Sequence, residues 1–293
     1  FIRRGKRVDV AMSEPRMTLL EWLRLEERAV GTKEGCAEGD CGACTVVLAR
    51  ERNGRITYEP VNACILLLGQ VGGSEVITIE DLGTPEALHP IQSAMVEAHG
   101  SQCVFFTPGI VMSLFALSHR VDNGVNRAQI NDALAGNLCR CTGYRPIIDA
   151  ALESCSSPSP DQFDAREIET LALLAQFKSG DDVFVGDDDR FFAAPASEAS
   201  LAYLIKNNPD AVILAGATDV GLWITKSLQD LRKFIWLGRI RSLAMIEETD
   251  TSLTLGAAVT HHQALPYLST LDPDIAELGR RFGSTQVRMS GTV

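Results

Sequence analysis

The chain has 293 residues, enough for two or three domains that each bury a core of their own. With 45% hydrophobic and 22% charged residues it has the makeup of a folded soluble protein, and apolar runs such as "ILLL" at 65–68 fall far short of the roughly 20 residues of a membrane helix. A net charge of −11 with scattered basic residues excludes the concentrated basic face that nucleic acid requires.

The opening "FIRRGKRVDV" is basic and strand-like with no apolar core behind it, so export is not indicated and a cytoplasmic protein is expected. Phe1 stands where an initiator Met would, which implies further residues upstream. Residues 1–82 read as a small sheet crossed by one helix. "RRGKRVDVAM" is a hairpin arm, "MTLLEWLRLEE" has helical spacing, "CTVVLARERNGRITYEPV" is two strands around an Asn53-Gly54 turn, and "SEVITIEDL" is one more strand. From "HPIQSAMVEAHG" the period becomes helical, with Pro90 suited to a first turn and Gly100 to a C-terminal cap. "PGIVMSLFALSHR", "NRAQINDALAG" and "YRPIIDAALESC" continue it, so residues 83–155 are expected to form a bundle of four short helices. The small, polar, proline-bearing "SSPSPDQFD" at 156–164 reads as the start of a linker over 156–190. Residues 191–293 alternate helix, strand and glycine turn in an α+β pattern that stops at "SGTV", as though cut inside a domain.

Eight cysteines without an export signal favour metal binding or redox chemistry over a disulfide framework. In "GTKEGCAEGDCGACTVV", Cys36 is followed after four residues by Cys41, after two more by Cys44, and after nineteen more by Cys64. This is the plant-type 2Fe–2S spacing. Gly35, Gly39 and Gly42 let the loop turn backbone N–H donors toward sulfur. A zinc site usually pairs two short spacings, and only one is present.

Together with "GNLCRCTGYRPI", this motif resembles the iron–sulfur region of the xanthine dehydrogenase and aldehyde oxidase family of molybdenum hydroxylases. The resemblance implies a β-grasp, plant-type ferredoxin-like domain, then a four-helix bundle with a second 2Fe–2S cluster, then an α+β FAD-binding domain, here truncated. It implies that a Cys-x-x-Cys pair and a Cys-x-Cys pair hold the second cluster. Cys139 and Cys141 match the latter. In "SQCVFFTPGIVMS", Gln102, Cys103, Phe105, Thr107, Pro108 and Gly109 fit the former, but Val104 replaces a glycine and Phe106 stands where the second cysteine belongs. A phenyl ring offers iron no lone pair, and a 2Fe–2S core takes four ligands. Three readings stay open: the cluster is absent and Cys103, Cys139 and Cys141 are free thiols; a water or another side chain completes it; or Phe106 is an alteration of the sequence. By the same resemblance Gln102 faces the molybdenum cofactor side. Arg140, a fixed positive charge between the two thiols, either raises a cluster's potential or forms a surface ion pair.

"VILAGATDVGLWITK" follows the strand, glycine turn, helix order in which backbone N–H groups receive a diphosphate, but it is neither a dinucleotide fingerprint nor a P-loop. The resemblance assigns FAD contacts to Ala215, Gly216, Ala217, Thr218, Asp219 and Val220 and makes "FGSTQVRMSGTV" the approach to a second flavin loop. His261 and His262 are expected to cap a helix or lie at the surface, and "GDDDR" at 186–190 to be a solvated loop.

These readings combine into the iron–sulfur and flavin subunit of a xanthine dehydrogenase-type enzyme, which passes electrons from a molybdenum cofactor in a large partner subunit through 2Fe–2S clusters to FAD and NAD. The resemblance implies a heterotetramer, and iron–sulfur and flavin domains fused in this order favour the xanthine dehydrogenase small-subunit arrangement over that of carbon monoxide dehydrogenase. The competing readings are a ferredoxin-like carrier whose helical domain only docks, and a redox-silent interaction protein.

Overall fold

The computed structural model describes residues 1–11, 14–121, 124–156, 160–178 and 180–293. The first sheet has the order β2-β1-β5-β3-β4, built from β1 (Ile2–Arg3), β2 (Lys6–Arg7), β3 (Thr45–Arg52), β4 (Arg55–Asn62) and β5 (Glu75–Ile77). Asn53 and Gly54 both have positive φ, 52° and 81°, the requirement of a two-residue turn whose twist matches its strands, and β3 and β4 pair in full register from Arg52 opposite Arg55 to Thr45 opposite Asn62. β1 runs parallel to β5, and β5 antiparallel to β3. A short helix, α1 (Leu19–Glu21), starts at Thr18, whose hydroxyl accepts from Glu21 N while its own N–H donates to the Glu21 carboxylate. It continues as a wider turn over Trp22–Glu26. Leu19, Leu20 and Leu23 pack on Val46 and Leu48, so the cysteine loop is suspended between this helix and β3.

Four helices follow: α2 (Pro90–Glu97), α3 (Thr107–Ser118), α4 (Arg127–Ala133) and α5 (Arg145–Cys155). All of residues 109–118 are buried, which makes α3 the central rod of the bundle. Its Ile110, Leu114 and Phe115 share one core with Val47, Ala49 and Tyr58 of the sheet. α2 closes as expected at Gly100, whose N–H donates to Met95 O (2.8 Å), while His99 takes the left-handed conformation (φ 55°).

The stretch expected as a linker is largely built into the fold, although residues 157–159 of it lie outside the described residues. α6 (Gln162–Ala165) and α7 (Glu167–Ala175) precede β6 (Val183–Gly186). Phe163 is buried among Tyr58 and Phe115, and Glu167 accepts from Ile56 N. Its apolar and charged anchors were hidden by the polar composition around them. Asp161 caps α6 through Oδ1, while Oδ2 lies 2.9 Å from His89 Nε2 and 3.4 Å from His119 Nε2. Burial would raise the Asp161 carboxyl, but hydrogen bonds from His119 and His89 outweigh it and hold it far below the carboxylate range.

In the third region β7 (Phe191–Ala194), α8 (Glu198–Asn207), β8 (Val212–Leu214), α9 (Thr218–Thr225) and β9 (Lys233–Trp236) form a sheet of order β6-β7-β9-β8 with its helices, in which β9 is parallel to both its neighbours. A hairpin of β10 (Ile246–Glu248) and β11 (Leu253–Leu255) leads to α10 (His261–Leu271), α11 (Pro273–Arg281) and α12 (Thr285–Ser290). Among the described residues no helix is long and apolar enough to cross a membrane.

α12 returns to the first two regions. Its Gln286 is fully buried and donates from Nε2 to Ser113 Oγ (2.9 Å) and Asn137 Oδ1 (2.8 Å). Asn137 in turn donates to Gly42 O and to Thr45 Oγ1. One buried polar group thus joins three segments of chain. The Gln286→Ala variant should lose about 2 kcal/mol of stability in urea unfolding, because Asn137 and Ser113 stay buried while losing a donor. Burial beside Arg120 pushes His262 down to about 4. Between pH 6.5 and 4 the unfolded chain therefore binds a proton that the folded chain does not, and stability falls as pH falls. Unfolding at pH 7 and at about pH 4.5 should show His262→Gln relieved of about 2 kcal/mol of that acid loss.

Candidate metal and cofactor sites

The structure brings the first four cysteines together. Cys41, Cys44 and Cys64 are buried and Cys36 is half-buried. Cys44 Sγ lies 3.2 Å from Cys64 Sγ, and Cys36 Sγ accepts from the N–H groups of Cys41 (3.3 Å) and Asp40 (3.4 Å). A hydrogen bond from Cys64, aided by backbone N–H donors, lowers the Cys36 thiol to about 3, and the same bond pushes Cys64 up. Two glycines make the loop possible. Gly39 (φ 79°) would place a Cβ 2.6 Å from Ile65 Cδ1, and Gly42 (φ 71°) would place one 2.1 Å from Gly136 O.

This donor set fits a 2Fe–2S cluster. Four thiols converge from one loop and one strand end, with backbone N–H groups already directed at sulfur. A lone zinc ion needs sulfurs about 3.8 Å apart. Among the described residues, the three-ligand group whose atoms all lie within 4.8 Å of one another is His119, Asp161 and Asp164, and no cysteine trio is so tight. That His/Asp group is already engaged as the helix cap and ion pair described above.

The second site is incomplete. Cys103 is half-buried, Cys139 buried and Cys141 exposed. The backbone N–H groups of Phe106 and Phe105 lower the Cys103 thiol, and its hydrogen bond with Cys141 raises the latter. Cys139 N donates to Tyr144 Oη (2.8 Å), and Cys139 Sγ is 3.1 Å from Thr142 Oγ1. Phe106 begins α3 where a fourth thiol is required, and its ring stacks edge-on against Phe105 at 5.2 Å. Cys155 is no substitute: it is fully buried against Leu114 O in the helical core. These residues do not fit a four-thiolate cluster. Gln102 and Arg140 are exposed beside them.

The two cysteine loops touch directly. Leu138 N, one residue before Cys139, donates to Cys41 O at 3.0 Å. On its far side the first loop meets α9: Thr225 Oγ1 donates to Ala37 O (2.6 Å), and Gly221 approaches so closely that a Cβ would lie 2.6 Å from Ile65 O. The first loop therefore contacts both the second cysteine loop and α9 of the third region.

In the glycine turn that precedes α9, Ala217 takes the left-handed conformation (φ 69°) and no side chain caps the helix, which leaves its first N–H groups available to an anion. Ala215 O accepts from Trp236 Nε1, and Gly216 packs against the backbone of Ser290, Gly291 and Thr292. A cavity of about 240 Å³ is lined by Ala215, Gly216, Trp236, Gly238, Ser290 and Thr292. This is below the roughly 300–1,000 Å³ of sites that enclose a whole small molecule, so the residues present fit part of an FAD. Thr218, Asp219 and Val220 form the first turn of α9. The cap of α10 is Thr260, not a histidine; His261 packs on Phe282 and His262 is half-buried. In 186–190, Asp187 accepts from Asp189 N and Arg190 N, and Arg190 pairs with Glu14 and Asp230.

Sequence reasoning missed Asn137, Ser113 and Gln286. Asn137 lies inside the quoted cysteine motif, but no spacing marks a residue whose partners come from three distant segments.

Comparison with known proteins agrees with this layout. Residues 1–68 match the 2Fe-2S iron-sulfur cluster binding domain, 78–152 the 2Fe-2S binding domain, and 187–293 the FAD binding domain in molybdopterin dehydrogenase. The chain is 48% identical over 161 residues to a xanthine dehydrogenase of Blastobotrys adeninivorans, covering 54% of this chain and 12% of that protein. It is 31% identical over 321 aligned positions to aldehyde oxidase 1 of Bos taurus, covering 94% of this chain and 24% of that protein. Among solved structures, quinoline 2-oxidoreductase from Pseudomonas putida 86 is 29% identical with a TM-score of 0.46, over 61% of this chain and 95% of that one. The chain thus spans about a quarter or less of the length of the curated relatives named. The matched domains and their order define an iron–sulfur and flavin protein. It belongs to the molybdenum hydroxylase family, with xanthine dehydrogenases and aldehyde oxidases among its homologues.

The tight approach of Gly42 gives a test of the first site. Gly42→Ala forces a Cβ into Gly136 O and strains a positive φ, which should cost at least about 2 kcal/mol in urea unfolding and displace the Cys41 to Cys44 turn, read as lost iron.

Proposed function

We propose that this chain is the electron-transfer part of a xanthine dehydrogenase-type molybdenum hydroxylase, taking electrons from a molybdenum cofactor held by a partner subunit and delivering them toward FAD and NAD. The observation that carries it is the position of the first cysteine loop, bonded to Leu138 on one side and to α9 on the other. The protein's own part in electron transfer is to place and insulate its redox centres, and this loop is fixed on both sides. A bound 2Fe–2S cluster supplies one-electron chemistry. Cys36, Cys41, Cys44 and Cys64 would hold it; Asn62 steadies the loop by donating to Gly39 O, and burial of Cys44 and Cys64 keeps water from the inner side. Cys103, Cys139 and Cys141 form the outer site, with exposed Gln102 toward the molybdenum side. Ala215, Gly216, Ala217, Thr218, Asp219 and Val220 would contact the FAD. The setting proposed is the cytoplasm, the assembly a heterotetramer, and the substrate a purine.

The anaerobically purified chain should absorb in the visible and bleach reversibly on reduction with dithionite, and Cys44→Ser should abolish that absorption. Co-expressed with a molybdenum-binding subunit, it should purify as a complex. A colourless native chain would refute the electron-transfer role, and a coloured chain that captures no such subunit would leave a free carrier in its place.

A further inference from the structure

We infer that this chain carries one 2Fe–2S cluster, at Cys36, Cys41, Cys44 and Cys64, and that the side chain at position 106 is what keeps a second from assembling at Cys103, Cys139 and Cys141. The inference deepens the electron-transfer reading and rests on it. Residues 78–152 match a 2Fe-2S binding domain, and such a core takes four ligands, yet the matched segment holds three cysteines. Cys155 lies just outside it, in the core against Leu114 O.

Position 106 is the third residue after Cys103, the spacing at which two thiolates from one turn meet at one metal ion. It holds an aromatic ring packed against that of Phe105. Part of the backbone frame such a site needs is in place. Tyr144 Oη accepts from Cys139 N, and Leu138 N is tied to Cys41 O. Gly109 on α3 is pressed against Gly42 O, which fixes the start of that helix relative to the first loop. None of these contacts depends on iron. The frame of a second cluster site is therefore kept, and one side chain closes it.

The test is iron and acid-labile sulfide per chain in anaerobically purified full chain, comparing the native protein with Phe106→Ala and Phe106→Cys. The expected result is about two irons in the native chain and in Phe106→Ala, and about four in Phe106→Cys, with a second paramagnetic signal on reduction. The alanine variant separates removal of the ring from supply of a thiolate. About four irons in the native chain would overturn the inference, as would a cysteine variant that still binds about two. A native chain without iron would overturn it together with the electron-transfer reading.

Discussion

The structure depends on the contact between the carbonyl groups of the first cysteine loop and the backbone before Cys139. Cys41 O accepts from Leu138 N, and Gly42 O accepts from Asn137 Nδ2. Gly42, Gly109 and Gly136 meet here without side chains, and a Cβ on any of them would collide with its neighbours. A loop that must curl around sulfur cannot also fill the space outside it, so a second loop and a helix end close over it. The same small residues set how near the two thiol groups lie.

That contact recruits the third region. Gln286 enters the junction from α12 and Thr225 reaches Ala37 from α9. The flavin segment is thereby held at two points, one on α9 and one on α12. Buried polar groups of this kind add little net stability but fix one arrangement, because any other leaves Asn137 Oδ1 and Ser113 Oγ short of a donor in a dry interior. Gln286 Oε1 has no hydrogen-bond partner despite its burial, a residual cost of placing an amide where its donor side is what matters.

Much of this was legible in the sequence. The Asn53-Gly54 hairpin, the four helices and the first cysteine set all follow from spacing and turn chemistry, which are local. Composition reports solvation and so hides the anchors within 156–190, where Phe163, Glu167 and Asp161 act through partners from about forty to over a hundred residues away. The polar junction was invisible for the same reason: its members come from three segments and share no motif.

The core shared by β3, β4 and α3 carries a further consequence. Tyr58, Val47 and Ala49 lie in the same apolar cluster as Ile110, Phe115 and Ile147, so the two iron–sulfur regions are separate as families and single as a folding unit. The sheet face and the rod of α3 cover each other, and the boundary near residue 82 is one of ancestry and not of cooperativity. Burial of residues 109–118 in that shared core ties the opening of α3 to the melting of both regions.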